Sequence, residues 1–167
     1  MFERFTTAAR TAVITAAETA RAAGTHEISV DHLLAALLPP DVAREVLADL
    51  AAARRRGGLS DVDARALAEL GIDVDAVVAA AERELGEGVL TAGPSRSGGR
   101  LRLAPSVRAT LVAALRQARA LGNRELRTEH LLLGVLSQRV DRVPADVLAS
   151  RGVTMASVIA DLERGAA

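Results

Sequence analysis

The 167 residues suffice for one compact domain, or two small halves sharing a core, and are too few to hold a nucleotide-hydrolysing motor beside anything else. Half of them are hydrophobic yet only 1% are aromatic, Phe2 and Phe5, so the core must be built from Ala, Leu, Val and Ile, which points to an all-α fold. Charge balances at 21 basic and 21 acidic residues, every basic one Arg, which argues against broad electrostatic binding to nucleic acid or an anionic membrane, and the lack of Cys excludes disulfides, thiolate metal sites and Cys nucleophiles.

The chain opens Met1-Phe2-Glu3-Arg4-Phe5 without a signal-peptide apolar run. No segment reaches the roughly 18 apolar residues of a membrane span, so a cytoplasmic protein is expected. The first helix is predicted over about 6–23. Thr6 is a candidate N-cap, and Phe5, Ala9, Val13, Ala16 and Ala20 share one face at helical spacing. Gly24 suits the left-handed position that ends a helix. A second helix runs from Ser29 or Val30 to Leu38, stopped by Pro39-Pro40. A further helix is predicted over about 41–55, stopped by Gly57-Gly58. Another ends at Gly71, and Asp73 caps one over about 74–85.

Residues 86–102, rich in Gly, Ser and Pro, read as a flexible linker between a first half (1–85) and a second half (103–167). Pro105 then fits the first turn of a helix, where a missing N–H costs nothing. Gly122 ends that helix, Thr128 is a candidate cap for the next, and Gly152 and Thr154 play the parts of Gly71 and Asp73.

The two halves repeat. Residues 5–38 and 103–136 align without a gap at an offset of 98, which puts Arg10 on Arg108, Gly24 on Gly122 and Asp31-His32-Leu33-Leu34 on Glu129-His130-Leu131-Leu132. Further on, Leu70-Gly71-Ile72 matches Arg151-Gly152-Val153 at an offset of 81. The first half therefore holds 17 extra residues, the difference between 98 and 81, placed as an insertion at about 41–58.

Met1-Phe2-Glu3-Arg4-Phe5-Thr6, followed by Ala9-Arg10 and Ala17-Glu18, resembles the start of the N-terminal domain of Clp-type AAA+ unfoldases, nearest the ClpC branch. The repeated acid-His-Leu-Leu element resembles that domain's hallmark. The resemblance implies a double Clp repeat: two pseudo-twofold four-helix halves, about eight helices, here with one inserted helix. It also implies a non-catalytic recognition role, with Clp unfoldase or protease components, adaptors or tagged substrates as partners. No G-x-x-x-x-G-K-[ST] loop occurs, so the chain reads as an adaptor or decoy without a motor.

Domains of the ClpC type bind phosphoarginine, a degradation tag, at two equivalent sites. Carried over, the first would use Asp31 with Arg4 and Thr6, and the second Glu129 with Arg102. A carboxylate pairs with a guanidinium fork, and Arg beside helix N–H groups suits phosphate. Asp31 is one methylene shorter than the family's usual Glu, and Ala104 stands where Thr6 has its counterpart. The bland alternative is that both acids simply favour the positive end of a helix. The family's cyclic-peptide groove maps to Phe2, Arg10 and Val13, with Leu103 where an aromatic is common, so a reduced groove is expected.

His32 and His130 share a position and read as buried structural groups. With His26 they are too scattered for a zinc site, so no metal or other cofactor is expected. Arg54-Arg55-Arg56 reads as a solvated helix end, or as a docking patch for an acidic partner. No catalytic set can be assembled. Two other classes compete with recognition. One is a structural or oligomerising helical protein using Val42, Val46, Leu47 and Leu50 of the inserted helix. The other is a helical DNA-binding regulator, which zero net charge disfavours.

Overall fold

The computed structural model describes residues 4–59, 61–85 and 101–165. Nine α-helices occur among them: α1 (Thr7–Ala22), α2 (Val30–Leu37), α3 (Pro40–Arg55), α4 (Asp61–Glu69), α5 (Val74–Leu85), α6 (Pro105–Ala120), α7 (Thr128–Leu136), α8 (Val143–Ser150) and α9 (Met155–Arg164). The fold is an all-α double repeat. Among the described residues it also holds a pair of two-residue strands, β1 (Glu27–Ile28) and β2 (Arg102–Leu103), which run parallel, and an isolated parallel bridge between Phe5 and Leu126. Phe2 and most of the expected linker, 86–100, lie outside the described residues. Arg102, assigned to that linker, belongs to β2.

Local chemistry sets most boundaries. The Thr6 hydroxyl accepts the Ala9 N–H (3.3 Å) and starts α1. Gly24 and Gly122 sit at φ +67° and +70°, a conformation that L side chains rarely adopt, and close α1 and α6. Asp73 accepts the Ala76 N–H (3.0 Å) at the start of α5. Thr154 accepts the Ser157 N–H (3.2 Å) at the start of α9. Pro39-Pro40 ends α2 as expected, and Pro40 also opens α3, where the missing N–H would have had no partner.

Thr128 is not a cap. It is the first residue of α7, the N-cap position falls to Arg127, and the Thr128 hydroxyl donates to Glu129 (2.9 Å) rather than accepting a helix N–H.

The core is aliphatic, as the composition requires. Val30 and Leu34 of α2, Val46 and Leu50 of α3, Val107 of α6, Val135 of α7 and Leu148 of α8 form one buried cluster that spans both halves. Phe5, Ala9, Ala114, Ala118, Leu126 and Leu131 form a second, again drawn from both halves. Small residues on α1 and α6 let backbones approach closely. A close approach occurs at Gly134 on α7, where an added Cβ would collide with the Thr110 carbonyl oxygen of α6.

Helix α3, over the expected insertion, is a core element that packs on α2 and α8. Val46 and Leu50 are fully buried and Leu47 is half-buried, while Val42 stays exposed, so most of the face expected to contact another chain is covered within the molecule. The physical reason is position: between α2 and α8, Val46 and Leu50 find their burial within their own chain. Arg151, just after the last residue of α8, pairs with Glu45 and Asp49 of α3, tying the halves together at the rim of this contact. Helices α4 and α5 pack on each other, and Asp75 of α5 accepts from Arg56 (3.0 Å). No single helix among the described residues is long and apolar enough to cross a membrane. The α8–α9 pair passes a length-and-composition test only jointly, bends by 69° at its break, and packs on α7.

Candidate functional site

The repeated acid-His element lies in the first turn of α2 and of α7. In both turns the His is the third helical residue and points back to close the turn. His130 Nδ1 accepts the Arg127 N–H (2.9 Å), and His32 Nδ1 accepts the Ser29 N–H (3.1 Å). His130 is completely buried, and His32 is partly buried. With Nδ1 accepting, the neutral ring carries its proton on Nε2. In His130 that nitrogen lies 3.1 Å from the Asn123 side-chain Nδ2. Burial lowers the pKa of both rings below 6.5, against the smaller opposing pull of Asp31 on one and Glu129 on the other. These histidines are structural caps.

The acid just before each His sits at the second helical position, where the backbone N–H groups favour negative charge. The two acids differ in their company. The Asp31 carboxylate is gripped by the Arg54 guanidinium through two parallel hydrogen bonds, Nη2 to Oδ1 at 2.8 Å and a short Nη1 to Oδ2. The pair remains partly open to solvent, with the Arg54 and Asp31 side chains 34% and 26% exposed. The Asp31 hydrogen bonds hold the Arg54 guanidinium above its ordinary pKa, and Asp141 adds to this. Glu129, partly buried, accepts only the Thr128 hydroxyl (2.9 Å), and no cation pairs with it among the described residues.

The segments entering the helices are paired crosswise between the halves. The Thr6 N–H donates to the Leu126 carbonyl (3.0 Å), and the Leu126 N–H donates to the Arg4 carbonyl (2.7 Å). Leu126 is three residues before Glu129. In the mirrored place, the Arg102 N–H donates to the His26 carbonyl (2.9 Å), and the Ala104 N–H donates to the Ile28 carbonyl (3.1 Å). Ile28 is three residues before Asp31. Arg4 and Thr6 therefore neighbour the turn that carries Glu129, and Arg102 and Ala104 neighbour the turn that carries Asp31. This replaces the within-half grouping expected from the repeat. Each pre-helix segment needs a backbone partner, and the pseudo-twofold arrangement supplies it from the other half.

Of the groove residues, Val13 and Leu103 are half-buried against a cluster of Ala16, Ala20, Ile28 and Leu33, and Arg10 is exposed on α1. Arg54 was not legible as a site residue. Its triplet reads as a helix end, and only the tertiary packing of α3 on α2 brings it to an acid 23 residues earlier. No group of three or more potential ligands is placed to hold a metal ion among the described residues.

Residues 59–145 match the model of the Clp repeat (R) N-terminal domain. The fold is similar to the crystal structure of the N-terminal domain of the caseinolytic protease-associated chaperone ClpD from Arabidopsis thaliana. That match has a TM-score of 0.52 at 22% identity, over 96% of this chain and 95% of that one. It is also similar to a structure described as part of structural investigations of a malarial protein secretion system, with a TM-score of 0.54 at 16% identity, over 97% and 94% of the two chains.

Proposed function

Because the chain belongs to the Clp repeat (R) N-terminal domain family, whose members bind substrates and regulate rather than catalyse, we propose that it recognises an adaptor or a tagged substrate of a Clp system through the turn that carries Glu129. The observation that carries this reading is the Glu129 carboxylate, with which no cation pairs among the described residues, beside the Arg4–Thr6 segment. A carboxylate there can take a guanidinium, while Arg4 and the start of α1 suit a phosphate. Phosphoarginine, the tag implied by the resemblance to ClpC-type domains, combines those two groups. Thr6, whose counterpart is Ala104, favours this turn over the one carrying Asp31. Binding without a motor makes the chain an adaptor or a decoy for the partner it holds. Val13 and Leu103, half-buried on one cluster, would with Arg10 serve as the reduced groove for a peptide, cyclic ones included.

Calorimetric titration with a short peptide carrying one phosphoarginine tests the reading. One binding event is expected in the wild type and none in Glu129→Gln. No heat at millimolar peptide, or an event that survives Glu129→Gln, overturns it.

A further inference from the structure

The offset of 81 that puts Gly71 on Gly152 also puts the α4–α5 hairpin on α8–α9. The two hairpins turn alike: Gly71 and Gly152 stand at φ +82° and +80°, and Asp73 and Thr154 cap the helix that follows. Both carry an apolar seam. On α9 it consists of Val153, Met155, Val158, Ile159 and Leu162, which cluster with Leu132, Leu133 and Leu136 of α7. The same places in the first half hold Ile72, Val74, Val77, Val78 and Ala81. There the seam is left open: Val158 is 4% exposed and its counterpart Val77 is 59% exposed, with Ile72 and Leu70 exposed beside it. Size explains why α2 does not cover α5 as α7 covers α9. Leu133 and Leu162, both buried in the second-half cluster, have Ala35 and Ala81 as counterparts, so the equivalent contact would bury far less apolar surface.

We infer that the open seam of α5 is a docking face for a basic amphipathic helix of a partner protein, one with leucine-sized side chains along one side and arginines or lysines flanking them. The second half supplies the apolar part of the argument, since there the matching seam is covered by a helix that offers leucines. Charge supplies the rest. Residues 61–85 hold seven acids against two arginines, Arg65 and Arg83, a net charge of −5 in a chain that is neutral as a whole. An acidic partner, or a second copy meeting this one α5 to α5, would bring like charges together, whereas a basic helix is attracted. An open cleft beside the seam is lined by Ala64, Ala68, Gly71 and Val74, small enough to leave room for a large incoming side chain. Arg56 and Arg65 line it too, with Asp73 and Asp75, but Arg56 already pairs with Asp75 (3.0 Å), and the acids outnumber the cations over the hairpin. This face is distinct from the turn that carries Glu129 and does not rest on the reading given for that turn.

The test uses the full chain and two synthetic peptides of about 15 residues, long enough to form a helix when bound. Both are made of Leu, Arg and Ala in the same proportions. One sets its leucines at helical spacing on a single face, and the other scrambles them. Fluorescence anisotropy at physiological ionic strength measures affinity, and amide NMR shifts locate the contact. Expected is a preference of about tenfold or more for the patterned peptide, with shifts on α4 and α5. Val77→Asp adds negative charge while spoiling the seam, so it should abolish the preference even though plain attraction to arginine rises. Val77→Ala guards against loss of fold and should lower the preference in the same direction. Val112→Asp, at an exposed position on α6, should change nothing. Equal binding of the two peptides overturns the inference, as does a preference that survives Val77→Asp. So does a dimer seen by light scattering without peptide and dispersed by Val77→Asp, which would give the face to a second copy. Glu129→Gln should bind the patterned peptide as the wild type does, so this proposal and the one for the Glu129 turn fail separately.

Discussion

Gly134 packs against the backbone of Thr110 so closely that α7 and α6 touch without an intervening side chain. At the equivalent place in the first half stands Ala36, only partly buried. The repeat is thus tighter in its second copy. Gly134→Ala gains about 1 kcal/mol of helix propensity, but its Cβ meets a backbone oxygen that moves only if α6 moves. A net loss of about 1–3 kcal/mol is expected from such overpacking. Urea unfolding checks it. An unchanged midpoint would mean that the two helices separate freely.

The same Thr110 is completely buried, and its hydroxyl has no hydrogen-bond partner among the described residues. A buried unpaired hydroxyl costs about 1–3 kcal/mol. Thr110→Val, which keeps the shape and removes the polar atom, should raise stability by about 1 kcal/mol. A higher thermal midpoint is the expected readout, and a lower one would reveal a bonded hydroxyl.

Protonation of His130 and His32 opposes folding. Their folded pKa values lie below the 6.5 of an ordinary His, first because burial disfavours the charged ring. Between the folded value and 6.5 the unfolded chain binds more protons. Stability is therefore fully present above 6.5 and is lost as pH falls from there through the folded values. The urea midpoint should drop between pH 7.5 and 5.5, above the range in which carboxylates titrate. His130→Gln should be less stable at pH 7.5 and should show a flatter pH profile. A slope identical to the wild type's would assign the effect elsewhere.

Thr6 serves two elements, since its hydroxyl caps α1 and also lies 3.3 Å from the Leu126 carbonyl. Thr6→Ala should cost about 1 kcal/mol, the usual value of a lost N-cap. Thr6→Ser should restore most of it. If the two variants melt together, the cap is not what holds the N-terminus of α1.

Features that depend on a few neighbouring residues were legible in the sequence. Thr6, Asp73 and Thr154 announce helix starts, Gly24 and Gly122 announce ends, and the aliphatic composition announces helices packed on helices. Thr128 misleads because a hydroxyl in a capping context usually caps, whereas here the N-cap lies one residue earlier, at Arg127, and the hydroxyl donates to Glu129. The site was legible in part. The paired acids stand out by repetition, but the Arg54 contact requires α3 to pack on α2, and nothing local encodes that. The crosswise pairing is equally silent. It is made by backbone groups of Arg4 and Leu126, and of Ile28 and Ala104, which any side chains would allow.

That exchange of entry segments makes the two copies interdependent. Neither half, expressed alone, would carry its own partner for the start of its helices, and each would expose the apolar surface that the other covers. Cleavage within 86–100 should therefore yield two fragments that fold poorly apart and reassemble when mixed. Duplication has here joined two copies whose helix starts lean on one another.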